Sequence, residues 1–134
     1  GASSGIGKGT AVEFAGLGAH LALTGRNQKN LQTTAKACVE AGTPQDKILL
    51  VKGDICDEEV RKNLVDQTVQ KFGRIDVLVN NAGIALLAGI ETTNMVEYDK
   101  VMNVNVRSVV VLTQLCVPHL TKTQGKLVPV FYGC

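Results

Sequence analysis

The segment GASSGIG at residues 1–7, running straight into a helical pattern, limits the fold more than any other part of the chain. Glycines at positions 1, 5 and 7 allow a tight turn, a close approach to an anion without an intervening Cβ, and close packing on a sheet. Residues 6–17 read as a helix, whose first N–H groups lack intrahelical acceptors and sit at the positive end of the helix dipole. Such a loop is a cradle for a pyrophosphate. Gly1, Gly5, Ile6 and Gly7 supply its backbone, and Ser3 and Ser4 add hydroxyl donors. No strand stands in front of the loop in the sequence, so a targeting segment ahead of it stays possible.

Apolar runs typical of strands buried on both faces recur at 20–24 (HLALT), 47–52 (KILLVK), 75–79 (IDVLV) and 126–130. Helical stretches separate them. Asn27 can cap one running to about Glu40, closed by Ala41-Gly42-Thr43-Pro44, and Asp57 starts another that ends near Phe72-Gly73. Further on, Met95, Tyr98, Val101 and Met102 fall at helix spacing and read as a packing face, and 105–120 reads as a longer helix. Strands alternating with helices through short turns predict one domain over residues 1–134, an α/β doubly wound parallel sheet with helices on both faces. Ligands in that layout sit beyond the carboxyl ends of the strands, where Gly25-Arg26, Gly53-Asp54 and Asn81-Ala82-Gly83 all fall.

Fourteen basic residues nearly balance twelve acidic ones, with no basic block or aromatic-interleaved stripe, so no nucleic-acid partner is expected. Cys38, Cys56, Cys116 and Cys134 are scattered, without zinc-site spacing or the density of a disulfide scaffold, and read as reduced intracellular thiols with no metal. No apolar run in the sequence reads as approaching the roughly 20 residues of a membrane span. The expectation is a soluble, cytoplasmic chain with no membrane partner.

With GASSGIG, Asp54-Ile55, Asn80-Asn81-Ala82-Gly83 and Asn103-Val104-Asn105-Val106 in this order, the chain resembles the short-chain dehydrogenase/reductase family over nearly its whole length. The resemblance implies a Rossmann fold and an NAD(P)-dependent oxidoreductase of the 3-oxoacyl-carrier-protein reductase or hydroxysteroid dehydrogenase kind. Its substrate would be a small carbonyl or alcohol. A sheet ordered 3-2-1-4-5 would lack its central first strand here, leaving two half-sheets and a chain expected to be unstable or to aggregate alone.

NAD enzymes place a carboxylate at the end of the second strand, and here that place is Gly25 followed by Arg26. A guanidinium there can pair with the 2′-phosphate of NADP, with Ser3 a possible helper, which favours NADP over NAD. The alternative is that Arg26 is only a solvated turn residue. The family resemblance assigns Asp54 to the adenine amino group and Ile55 to the ring face, against an N-cap role that fits Asp57 better. It sets Asn81, Ala82 and Gly83 beside the adenosine ribose and the nicotinamide, while Asn80 reads as a tie between strands. Asn105 matches an asparagine that holds a water of the proton relay, and a mid-helix Asn wants such a reason to be there. His119 reads as structural.

The resemblance also implies a serine, a tyrosine and a lysine that this sequence does not supply: Phe131 and Tyr132 stand at the serine positions, and no YxxxK occurs. The chain as given is therefore expected to be inactive, with activity expected of a full-length protein. A different class of function stays open, a catalytically silent nucleotide-binding or dimer-interfering module; a Rossmann-like methyltransferase is disfavoured by NNAG and Asn105. Val109, Val110, Val111 and Leu112 give the 105–120 helix an apolar surface suited to a homo-oligomer of the full-length protein, or to a helix wedged inside its own domain.

Overall fold

The computed structural model describes residues 1–86 and 88–130, so the readings made at Phe131 and Tyr132 lie outside the described residues. Helix α1 (Gly5–Gly16) is followed by β1 (Leu21–Gly25), α2 (Gln28–Ala41), a single 3-10 turn at Gln45–Lys47, β2 (Ile48–Lys52), α3 (Glu58–Phe72) and β3 (Val77–Asn80). Then come α4 (Met95–Met102), a π-helical turn at Asn103–Arg107, α5 (Ser108–Thr123) and β4 (Lys126–Pro129). Both expected caps form: the Asn27 side chain accepts from the Asn30 N–H, and Asp57 from that of Glu59.

Strand β1 pairs parallel with β2, and β3 pairs parallel with β4. Among the described residues these remain two separate two-stranded sheets, the half-sheets expected of an order that lacks its central member. Period-two alternation divides β1 and β2 between two cores. Leu21, Leu23 and Ile48 pack with Ala11 and Ala15 of α1 and with Leu31, Ala35 and Cys38 of α2. Val51 turns the other way, into a cluster with Leu64 and Val65 of α3, Ile75, and Leu112, Cys116 and Leu120 of α5. Helices thus cover both faces, and the architecture is the doubly wound α/β fold.

Two sequence expectations need correction. Helix α4 buries none of its residues: Met95, Tyr98 and Met102 are exposed, so the apolar stripe is present but no described element packs over it. The stretch Met95–Thr123 also forms 29 residues of helix long and apolar enough, by length and composition, to cross a membrane. The π turn bridges two segments that read separately in sequence. Within α5, Ser108, Leu112, Cys116 and Leu120 recur every four residues and face the core, whereas Val110 and Val117 face outward.

Candidate functional site

The carboxyl ends of β1, β2 and β3 converge with the start of α1 around a cleft of about 340 Å³. Its floor is the opening loop, held from two sides. The Ala2 N–H donates to the Thr24 carbonyl at 2.9 Å, and the Ala2 carbonyl accepts from the Thr34 hydroxyl at 3.0 Å. From the other half-sheet, Asn81 Nδ2 donates to the Gly1 carbonyl at 3.0 Å. The loop is thereby the stitch between the two sheets at their carboxyl ends.

Glycine is required here by space and by backbone. A Cβ at Gly7 would lie 2.1 Å from the Gly1 carbonyl oxygen and 2.5 Å from Asn81 Nδ2. Gly5 meets no neighbour but holds φ at +54°, in the left-handed region. Ser4, the residue before α1, is extended and its hydroxyl makes no cap to the helix. The first-turn N–H groups of a 12-residue helix therefore open on the cleft without a side-chain oxygen spent on them. A cradle walled by close-packed glycine backbone and ending on a helix N-terminus fits the diphosphate of a dinucleotide.

Every residue expected to hold the coenzyme lines this cleft except Gly7, which is buried behind Gly1. Arg26 and Asp54 face each other at 4.0 Å as an exposed pair, their side chains 72% and 49% accessible. A pair of that kind is worth about 0–1 kcal/mol, so Arg26 gives up Asp54 at little cost when another anion arrives. The Asp54 carboxylate also accepts from the Cys56 N–H at 2.9 Å, fixing the turn after β2; it does not cap α3, which Asp57 does. Burial, followed by the charge of Asp54, pushes the Cys56 thiol up. A Cβ at Gly25 would press on Ser3 at 3.1 Å, so the position where an acid would favour NAD has little room for a side chain.

Asn80 ties elements together as expected: its carbonyl accepts from the Val130 N–H at 2.9 Å and its Nδ2 donates to the Thr113 hydroxyl at 3.2 Å. Asn105 lies in the π turn, and both ends of its amide are used on one residue. The Ile84 N–H donates to Oδ1 at 2.9 Å, and Nδ2 donates to the Ile84 carbonyl at 2.8 Å. This two-way clasp pins the segment after Asn81-Ala82-Gly83 against the long helix. Gly25 and Gly53 line the cleft at the strand ends where ligands were expected, and Thr24, Ile84 and Val104, which line it too, were missed as site residues. Ile84 could have been found as the residue following NNAG; nothing local marks Val104.

The chain matches the short chain dehydrogenase family model over residues 1–131. It is 39% identical over 131 residues to the 11-beta-hydroxysteroid dehydrogenase-like 4A of Arabidopsis thaliana, covering 97% of this chain and 43% of that protein. A short-chain dehydrogenase/reductase of Caenorhabditis elegans solved with cofactor superposes with a TM-score of 0.90 at 34% identity, over 96% of this chain and 49% of that one. Glucose dehydrogenase of the same organism gives 0.87 at 37% identity, over 96% and 51%. The chain belongs to the short-chain dehydrogenase/reductase family, a Rossmann-fold, NAD(P)-binding oxidoreductase family. It spans about half or less of the length of these relatives.

Proposed function

We propose that this chain carries the coenzyme-binding part of an NADP-dependent oxidoreductase that acts on a small carbonyl or alcohol. The carrying observation is the convergence of the glycine cradle, the α1 N-terminus and Arg26 on one cleft. The first N–H groups of α1, with Ser3 and Ser4, hold the diphosphate, and Arg26 takes the 2′-phosphate. Asp54 receives the adenine amino group beside Ile55. Asn81, Ala82 and Gly83 line the ribose and nicotinamide side, where the bound coenzyme supplies or accepts hydride. Because the Asn105 amide is engaged by Ile84, a part for Asn105 in proton relay falls to its backbone carbonyl. The outward Val106, Val110 and Val117 support a homo-oligomer of the complete protein.

Titration calorimetry with NADPH and NADH, on the chain and on Arg26→Ala, tests the coenzyme assignment. The reading expects Arg26→Ala to weaken NADPH by about 10- to 100-fold, since a charge-assisted hydrogen bond contributes about 1.5–3 kcal/mol, and to change NADH little. Equal losses for both coenzymes would remove the 2′-phosphate assignment, and no loss for either would leave Arg26 a solvated turn residue.

A further inference from the structure

Arg61 is the one charged side chain that is buried among the described residues, at 5% exposure. It stands four residues into α3, at the end where the helix dipole favours anions, and among the described residues no carboxylate lies within ion-pair distance of it. Its Nε is buried without a hydrogen-bond partner among the described residues. A buried cation held in that way works against stability, so packing does not account for an arginine here.

The contact that Arg61 does make points to the coenzyme cleft, although Arg61 does not line it. Its Nη1 donates to the Ile55 carbonyl at 2.8 Å. The other end of the same peptide group is engaged as well, because the Cys56 N–H donates to Oδ1 of Asp54 at 2.9 Å. The Ile55–Cys56 peptide is thus clamped between a guanidinium on its carbonyl and a carboxylate on its N–H. Hydrogen bonds in such a chain polarise one another, so the cation strengthens the bond that fixes Asp54. The charge of Arg61 also reaches the Cys56 thiol, where it opposes the upward push of burial and of Asp54. The rest of the turn is closed from α3: the Asp57 N–H donates to the Asp54 carbonyl at 2.9 Å, and a Cβ at Gly53 would lie 2.3 Å from Val60 Cγ2. With Oδ1 of Asp54 committed to the peptide, Oδ2 is the oxygen toward Arg26, at 4.0 Å.

We propose that Arg61 is a positioning residue for recognition of the adenine base. Acting through the Ile55–Cys56 peptide, it holds the Asp54 carboxylate so that Oδ2 meets the exocyclic amino group, and it holds Ile55 against the ring. The inference rests on the assignment of Asp54 and Ile55 to the adenine made above. It adds that base selectivity is set from α3, by a side chain outside the cleft.

The test titrates the full-length protein that carries this chain with NADPH and with its hypoxanthine analogue, which has a carbonyl in place of the amino group. The parent is compared with Arg61→Met and Arg61→Gln, both of which keep an apolar stem and lose the guanidinium. The parent is expected to prefer NADPH by about tenfold or more, as a hydrogen bond to a charged acceptor implies. In either Arg61 variant the preference is expected to fall to within about threefold, and with Asn already at position 54 the Arg61→Met change should lower it no further. The readout is a ratio of two affinities, which a general loosening of the fold would not move. An unchanged preference in a folded Arg61 variant, equal weakening of both nucleotides, or failure of both variants to fold would overturn the proposal. A parent that binds NADPH without preferring it would remove the adenine assignment of Asp54 and this proposal with it, whereas a preference that survives Arg61→Met removes the part of Arg61 alone.

Discussion

At Gly7 the whole opening loop is closed around the absence of a side chain. The 2.1 Å that an added Cβ would leave to the Gly1 carbonyl is too short for any real contact, and the obstacle is backbone rather than a flexible side chain. Gly7→Ala is expected to cost about 1–3 kcal/mol in a urea unfolding experiment and to abolish coenzyme binding, because relief requires moving the loop off Asn81. Asn105 illustrates what a sequence conveys at this scale. A polar residue amid helix formers marks a conflict with local propensity, but its resolution, a clasp on Ile84 from a turn of π-helix, depends on a loop 21 residues away.

The helices were legible where their signals are local. Asn27 and Asp57 cap as their position before an amphipathic run implies, and Asp57→Ala is expected to cost about 1 kcal/mol in thermal unfolding, with Asp57→Asn nearly neutral. A loss for Asp57→Asn equal to that of Asp57→Ala would contradict the capping role. The strands were legible as apolar runs, offset by one or two residues from the observed bounds, since the ladder and not the side-chain pattern decides where a strand begins. The stretch from Met95 to Thr123 was harder. Its apolar periodicity is the same whether a face is covered or open, and α4 turns out to be open; a π turn, which carries no sequence signature of its own, joins α4 to α5 without a break.

For the molecule as a whole, the doubly wound architecture and the site at the strand ends follow from the alternation of elements and the glycine loop. What alternation cannot reveal is that the two half-sheets touch through so little: the opening loop, the bond from Asn81 to Gly1, and the helices packed across them.

The central claim, that the glycine loop and the N-terminus of α1 hold a dinucleotide, is tested most directly by calorimetric titration of NADPH into the chain, with circular dichroism verifying that it is folded. The account predicts saturable binding at one site per chain, tighter for NADPH than for NADH and lost in Gly7→Ala. A folded chain that releases no binding heat with either coenzyme, or that binds equally well with alanine at position 7, would contradict it.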